Sequence, residues 1–141
     1  MYLCKMTNQQ IIDTMNQKRS GTLMETLDIQ YTSMDKDILR GKMPVSPKHL
    51  QPAGILHGGA SVAFAETLGS LASNLCIEEN QATVGLDINA NHISSVKTGL
   101  ITGITSPIHV GRSTHVWEIK MYCDKKMICI SRLTMAILTK S

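Results

Sequence analysis

The feature that most constrains this chain is one long apolar segment, which runs from Gly58 to about Ile77. Its length and composition predict a single helix, and so little of the helix surface is polar that we expect burial on nearly all sides. Within this segment Glu66 is the one charged residue. The rest of the chain must therefore supply an apolar surface that can enclose a helix about 27 Å long.

Most of the remaining sequence alternates between apolar and polar residues, the period of two that is typical of β-strands. Two strands are predicted between Thr22 and Met43, on either side of a turn at residues 33–37. Four more are predicted at Thr83–Asn91, Leu100–Thr105, Val116–Cys123 and Met127–Leu138. We expect Ser106-Pro107 to end the second of these four, and Asp124-Lys125-Lys126 to form the hairpin turn between the last two.

The N-terminal residues predict a short helix. Thr7 or Asn8 can cap it, and it runs to about Lys18 with an apolar stripe that includes Ile11 and Met15. The 141 residues suffice for one hydrophobic core but not for two. We therefore interpret residues 1–141 as a single domain, in which residues 1–20 are an N-terminal helical extension.

One apolar helix combined with a run of strands indicates the α+β class. Strands of about ten residues are as long as the central helix or longer. A curved antiparallel sheet can therefore wrap around the one long helix along its whole length, which is the hot-dog fold. A single sheet around a single helix leaves strand edges and one flank exposed, so dimerisation is the expected remedy.

Composition and motifs argue against several classes of function. The net charge of +3 comes from scattered charges of both signs, and the five aromatic residues form no cluster, so we expect no nucleic-acid partner. No apolar run is long enough to cross a membrane. No export signal is evident, which favours a cytoplasmic protein with reduced thiols.

The cysteine pattern and the motif search narrow the chemistry further. The four cysteines form no CxxC pair and no zinc-type spacing, so we expect no metal site. Three of them lie in apolar-rich segments, where a cysteine usually behaves as a small buried hydrophobe. Serine-hydrolase, phosphate-loop and dinucleotide-binding motifs are absent from the sequence.

Glu66 is the first candidate for chemistry. Burying an unpaired carboxylate is costly, so a buried one usually has a partner or a use. The residues three, four and seven positions from it on the predicted helix are mostly small, which leaves room for a substrate beside the carboxylate. A structural glutamate that is paired across a subunit interface is the alternative, and the pattern alone leaves both open.

Gly58 and Gly59 open the same helix. Free N–H groups at a helix start suit a developing oxyanion, and glycine lets a substrate approach closely. A Gly-Gly turn that only starts the helix is the alternative. His57 and Gln51 can donate hydrogen bonds near the start of this helix. Ser70, one turn beyond Glu66, can orient the carboxylate or a water molecule. For each of these three residues a purely structural role is the alternative.

Several sequence blocks carry a resemblance to a known family. They are Gln51-Pro52, the run from Gly54 to Ser61, Ala65-Glu66, Val84–His92 and Ser131–Thr134. With them the chain resembles the PaaI-like branch of hot-dog thioesterases over roughly residues 20–138. It looks most similar to the 1,4-dihydroxy-2-naphthoyl-CoA thioesterases of menaquinone synthesis and to enterobactin-pathway proofreading thioesterases.

The resemblance implies hydrolysis of an acyl- or aroyl-CoA to the free acid and CoA. Glu66 would be the nucleophile or the general base that activates water. The N–H of Gly58 or Gly59 would polarise the thioester carbonyl. Gln51 and His57 would assist at the acyl end, and Ser70 would position water or the carboxylate.

The resemblance also implies contacts with CoA. The stretch that falls where the family contacts the CoA nucleotide contains Gly111, Arg112, Ser113 and Thr114, and His92 would lie along the pantetheine path. A solvated surface charge is the alternative for Arg112. CoA is part of the substrate, so the resemblance implies no separate cofactor and no metal.

The spacing of two candidates predicts where the site lies. Gly58 and Glu66 are eight residues apart, which is about 12 Å of helix rise. One copy of the helix cannot easily supply both groups, so we predict a homodimer with shared active sites, and a dimer of dimers from the resemblance.

Three other functions are open. An acyl-thioester dehydratase would be expected to carry an Asp/His pair, and Glu66 has no histidine one turn away. A CoA-binding module would not depend on Glu66 for its function. A scaffold protein leaves the lone carboxylate of the apolar helix unexplained.

Overall fold

The computed structural model describes residues 6–140, which form helices and one six-stranded antiparallel sheet. The α-helices are α1 (Asn8–Gln17), α2 (Leu23–Thr26) and α3 (Gly58–Leu75), with a short 3₁₀ helix at Pro47–His49. The strands are β1 (Gln30–Asp35), β2 (Ile38–Val45), β3 (Gln81–His92), β4 (Gly99–Val110), β5 (Thr114–Cys123) and β6 (Lys126–Thr139). Their order in the sheet is β1-β2-β4-β5-β6-β3. The predicted α+β class is confirmed.

Helix α3 packs across one face of the sheet and contacts β2, β3, β4, β5 and β6. Phe64, Ala65 and Leu68 on this helix are fully buried. They meet the inward side chains of the strands, which include Trp117, Ile119 and Leu133, also buried. The core therefore lies between one side of α3 and the face of the sheet to which every second strand residue points.

The prediction that α3 is buried on nearly all sides is wrong for this chain. Glu66 and Asn74 are exposed, and Val62, Ala63 and Ser70 are only half-buried. The physical reason is that a single sheet covers a single side of the helix. Glu66 is therefore not a buried carboxylate in the isolated protomer.

Two strand predictions are also wrong in their limits. Residues Leu23–Thr26 form α2 instead of the start of a strand, and β1 begins only at Gln30. Strand β4 does not end at Ser106-Pro107 but continues to Val110. Beyond Thr105 the neighbouring β2 no longer pairs with β4, so the missing N–H of Pro107 lies at a local sheet edge and beside a β-bulge, where proline is tolerated.

The N-terminal helix follows its prediction closely and is attached to the sheet. Thr7 caps α1, with its side chain accepting from the Gln10 N–H. Asn16 exchanges two hydrogen bonds with the backbone of Tyr31, each of 2.9 Å. The Tyr31 hydroxyl in turn donates to the carbonyl of Thr67 on α3 at 3.3 Å. The extension is therefore part of the wall beside α3.

Among the described cysteines, Cys123 and Cys129 are buried, as their apolar-rich segments led us to expect. Cys76 is exposed, because it is the C-cap residue at the end of α3. Cys4 lies outside the described residues. Within residues 6–140, no helix is both long and apolar enough to span a membrane.

Candidate active site

The first turn of α3 leaves one backbone donor open. His57 is the N-cap, and its Nδ1 accepts from the Gly59 N–H at 2.8 Å. The His57 carbonyl accepts from the N–H groups of Ala60 and Ser61 at 3.0 and 3.4 Å. Within residues 6–140, the Gly58 N–H has no acceptor. The turn therefore distinguishes the two glycines, because only the Gly58 N–H is available to a substrate.

A cleft of about 290 Å³ opens beside that donor. Gln51, Gly58 and His92 all line it. A Cβ atom on Gly58 would lie 2.9 Å from His92 Nε2, so the imidazole packs directly over the glycine. The structure thus brings together three residues that the sequence predicted separately, one each from a loop, a helix start and the end of β3.

The side chain of His57 is exposed and is not among the residues that line this cleft. Because Nδ1 accepts a hydrogen bond from Gly59, a neutral ring carries its proton on Nε2. That N–H is free of the helix turn. The residue therefore has two separable capacities, one as a helix cap and one as a donor toward solvent or a ligand.

Glu66 and Ser70 line a different cavity on the same chain. It measures about 480 Å³ and is bounded by Met15 of the N-terminal extension, by Leu23 and Met24 of α2, and by Tyr31 of β1. Leu23 is 60% exposed although it is a large apolar residue. Met15, Leu23 and Met24 thus contribute apolar surface to the lining of the cavity that holds the carboxylate.

The carboxylate of Glu66 lies against β3. A Cβ atom on Gly85 would come within 3.0 Å of Glu66 Oε1, so only glycine leaves this room without a shift. Among the described residues Glu66 has neither an ion pair nor a hydrogen bond. Ser70 does not bond it; the Ser70 hydroxyl faces Met135 Sδ at 3.9 Å.

The loop between β4 and β5 carries the other predicted contacts. Gly111 donates to the Thr114 carbonyl at 2.9 Å, and the Ser113 carbonyl accepts from the Ile137 N–H at 2.9 Å. Arg112 and Ser113 are exposed, and neither lines the cleft or the Glu66 cavity. The loop is held by its backbone, and the Arg112 side chain makes no ion pair within residues 6–140.

Known proteins are similar in sequence to this chain over most of its length. Residues 53–130 match the family described as Thioesterase superfamily. The chain is 43% identical over 128 residues to the 1,4-dihydroxy-2-naphthoyl-CoA hydrolase of Escherichia coli (strain K12), covering 90% of this chain and 94% of that protein. The chain belongs to the thioesterase superfamily. The predicted activity as a thioester hydrolase is thereby confirmed.

Two further relatives of this chain are also named thioesterases. The proofreading thioesterase EntH of Cronobacter sakazakii is 43% identical over 128 residues, covering 90% of this chain and 93% of the relative. The crystal structure of a thioesterase from Haemophilus influenzae superposes with a TM-score of 0.88 at 43% identity, covering 91% of this chain and 90% of that chain. The predicted hot-dog fold is confirmed by these neighbours and by the sheet order.

The thioesterase chain does not assemble its candidate residues into one site. Gln51, Gly58 and His92 share the cleft, whereas Glu66 and Ser70 lie in the other cavity, farther along α3. The eight residues between Gly58 and Glu66 correspond to about 12 Å of helix rise. Each cavity of the thioesterase therefore holds part of the predicted chemistry.

Sequence reasoning missed several residues that shape these cavities. Gly85 leaves room for the Glu66 carboxylate. The one hint in the sequence is a glycine inside a predicted strand, which often marks a β-bulge, and a bulge does follow it in β3. Met24 and Tyr31 line the Glu66 cavity, and no local pattern connects them with α3. Burial raises the pKa of Tyr31 to about 12, so its hydroxyl stays protonated and can keep donating to Thr67.

A buried polar cluster supports α3 behind the thioesterase cavities. Ser73 Oγ accepts from the indole N–H of Trp117 at 2.6 Å and lies 3.2 Å from Nδ1 of His115. Burial lowers the pKa of His115, which favours the neutral ring in this cluster. The described residues include no group of three or more His, Cys, Asp or Glu side chains that could hold a metal ion.

Proposed function

We propose that this thioesterase hydrolyses an acyl- or aroyl-CoA at a site shared by two protomers, with the Gly58 N–H from one and Glu66 from the other. The observation that carries the proposal is the division of the candidate residues between two separate cavities on one chain. Each cavity lacks what the other holds. Hydrolysis of a thioester needs a donor at the carbonyl oxygen and a carboxylate near the carbonyl carbon.

The exposed edge of the sheet supports a dimer of this kind. Among the described strands β3 pairs only with β6, so its other edge has unpaired backbone groups. Val84 and Leu86 on this strand are 47% and 61% exposed. Gly85, between them, is the residue against which Glu66 lies. A partner that covers this edge would bury apolar surface next to the carboxylate.

The roles of the residues follow from this arrangement. The thioester carbonyl oxygen accepts from the Gly58 N–H, and the Gln51 amide and the His57 Nε2–H assist there. Glu66 either removes a proton from the attacking water or attacks the carbonyl carbon itself. In the first route water adds to the carbonyl carbon, and collapse of the oxyanion breaks the C–S bond and releases the acid and the thiolate of CoA. In the second route the thiolate leaves a mixed anhydride with Glu66, which water then hydrolyses to the free acid and the regenerated carboxylate. In both routes the oxyanion is stabilised at the start of α3.

The apolar side chains beside Glu66 support an acyl substrate, and the name of one relative supports an aromatic acyl group. Met15 and Met24 can repack around acyl groups of different shape, and Leu23 and Tyr31 add apolar surface. We therefore propose an aromatic acyl group, for which 1,4-dihydroxy-2-naphthoyl-CoA is the first candidate given the name of one relative. Gly111, Arg112, Ser113 and Thr114 are proposed to contact the CoA nucleotide, and His92 the pantetheine.

A cytoplasmic location, a dimer of dimers and a reaction that needs neither metal nor cofactor stay predictions. So do the roles of Gly59 and Ser70. Since His57 already occupies the Gly59 N–H, we assign the carbonyl contact to Gly58 and a structural part to Gly59.

A thiol-release assay tests the proposed reaction. The substrates are 1,4-dihydroxy-2-naphthoyl-CoA, benzoyl-CoA, phenylacetyl-CoA and hexanoyl-CoA, and the variant is Glu66→Gln. We expect the wild type to hydrolyse the aromatic substrates faster than hexanoyl-CoA, and the variant to lose about a hundredfold or more in kcat, because its principal catalytic group is neutral.

Glu78→Gln is the matched control for that assay. Glu78 is an exposed carboxylate just beyond α3, so the same change of charge there should leave kcat unaltered. A folded wild type that hydrolyses none of the four substrates, or a Glu66→Gln variant with full activity, would overturn the proposal. A CoA-binding module would then be the better interpretation.

A further inference from the structure

One histidine that the proposed reaction does not use is buried between two segments of the chain. His49 ends the 3₁₀ helix and is only 1% exposed. Its Nε2 lies 2.8 Å from the carbonyl of Leu27, and its Nδ1 lies 2.8 Å from Ser46 Oγ. Both ring nitrogens therefore have partners, as a buried polar side chain requires.

The partners fix the tautomer of the ring. The Leu27 carbonyl can only accept, so Nε2 carries the proton. Nδ1 then accepts, and the Ser46 N–H points at it from 3.2 Å. The ring thus joins the stretch after α2 to the loop before α3, and it is held in one orientation from both sides.

The backbone of His49 continues this connection into the active-site cleft. Its carbonyl accepts from the N–H of His57 at 2.8 Å. Leu50 and Leu56 form a β-bridge, and the Gln51 N–H donates to the Ile55 carbonyl at 2.8 Å. The loop from residue 49 to residue 57 is therefore closed on itself, and His49 is its fixed end.

The position of that loop determines where the reacting groups point. Gln51 follows His49 by two residues, and the His57 carbonyl and Nδ1 set the first turn of α3, which leaves the Gly58 N–H open. A displacement of about 1 Å in such a group can cost about a hundredfold in rate. The hydrogen bonds of one buried ring can thus control a donor nine residues away.

We propose that His49 is a positioning residue for thioester hydrolysis: by bonding Leu27 and Ser46 it holds the 49–57 loop so that the Gly58 N–H and the Gln51 amide meet the thioester carbonyl. This inference rests on the proposed roles of Gly58 and Gln51. It adds a residue that touches neither substrate nor water and acts only through the loop.

A surface ion pair provides a matched control. Lys48 Nζ lies 2.8 Å from Asp28 Oδ2 and joins the same two segments. Both side chains are close to half exposed, 47% and 44%, and the neighbouring ammonium lowers the pKa of Asp28. Exposed pairs of this kind contribute little to stability. Lys48→Ala therefore removes an adjacent link without disturbing the buried ring.

The test compares His49→Gln, His49→Asn and Lys48→Ala in steady-state hydrolysis of the best substrate of the panel, with urea unfolding measured in parallel. Glutamine can still donate to the Leu27 carbonyl but cannot accept from Ser46. Asparagine can still accept from Ser46 but cannot donate to Leu27. We expect each His49 variant to lose about tenfold or more in kcat while KM changes less than about twofold, since the lost alignment is realised in the transition state. Lys48→Ala should match the wild type.

Three outcomes decide the proposal. Folded His49 variants with wild-type kcat would overturn it, and so would equal losses in Lys48→Ala. If neither His49 variant folds, Ser46→Ala decides, because it removes the shorter of the two bonds to Nδ1, the hydroxyl at 2.8 Å, and leaves only the N–H at 3.2 Å. A several-fold fall in kcat supports the proposal, and an unchanged kcat overturns it. Failure of the proposed function is separate, since it appears as an inactive wild type or a fully active Glu66→Gln.

Discussion

At the scale of single residues, His57 combines two tasks that substitutions can separate. Its Nδ1 caps α3 by accepting from Gly59, and its exposed Nε2–H is proposed to donate to the thioester carbonyl. A good N-cap residue such as asparagine can take over the first task but does not place a donor where Nε2 lies. The geometry therefore allows stability and activity to be measured apart.

We expect His57→Asn to keep its free energy of unfolding within about 0.5 kcal/mol of the wild type, and His57→Ala to lose about 1 kcal/mol, because only the alanine variant lacks a cap. Both should lose about tenfold or more in kcat/KM, since both lack the Nε2 donor. Urea unfolding and the thiol-release assay check the two parts. Full activity in His57→Asn would mean that the residue is a cap and nothing more.

The sequence could identify residues whose signal is local and could not identify those whose role depends on distant contacts. Glu66 is conspicuous because it is the one charge in an apolar helix. Gly85 and His49 matter because of what faces them, Glu66 in one case and Leu27 in the other. Neither neighbour is close in the chain, so no local pattern predicts either role.

At the scale of elements, the close approach of α3 to the sheet depends on a pair of glycines. Gly41 on β2 and Gly103 on β4 are paired in register. A Cβ atom on Gly103 would lie 2.9 Å from the Phe64 ring and 2.6 Å from Leu68 Cδ1. A Cβ atom on Gly41 would lie 2.6 Å from Leu68 Cδ2 on α3 and 2.9 Å from the Gln30 carbonyl oxygen on β1. The two positions must remain without side chains for α3 to lie where it does.

We expect Gly103→Ala to destabilise the fold by about 1–3 kcal/mol, because an added methyl group in a packed core forces both the Leu68 side chain and the ring of Phe64 to move. Urea unfolding measures this loss. The same substitution on a Phe64→Leu background, where ring atoms are missing, should cost clearly less, and a double-mutant cycle quantifies the difference. Equal costs on both backgrounds would show that the penalty does not arise from this contact.

Sequence patterns identified the elements better than their ends. The apolar run of α3 and the alternation of β5 and β6 are long enough for the period to be unambiguous. Helix α2 has only four residues, too few for any period to show, and is stabilised by a local bond from the Gly21 N–H to Glu25. The extension of β4 past Pro107 depends on β2 ending beside it, which only the sheet reveals.

At the scale of the whole molecule, the candidate residues are divided between two cavities, and among the described strands β3 pairs with a neighbour on one edge alone. The cleft with the Gly58 N–H and the cavity with Glu66 lie at different points along α3. The sequence predicted this separation from the rise of a helix, because eight residues fix a distance whatever packs around them. It could not predict that Glu66 would be exposed, since burial depends on which side the sheet covers.

The central claim is that Gly58 of one protomer and Glu66 of its partner act on the same thioester. Complementation between two inactive variants, Glu66→Gln and Gly58→Val, tests it most directly. Valine blocks the approach of the carbonyl to the N–H, and each variant should be nearly inactive alone. Co-expression with two different tags and sequential purification isolate the mixed dimer.

In a mixed dimer with shared sites, one site carries both substitutions and the other carries neither. We therefore expect the mixed species to recover about half of the wild-type kcat per dimer, because one intact site of two remains. A mixed dimer as inactive as its parents would contradict the account, since it would mean that each protomer needs both residues for itself.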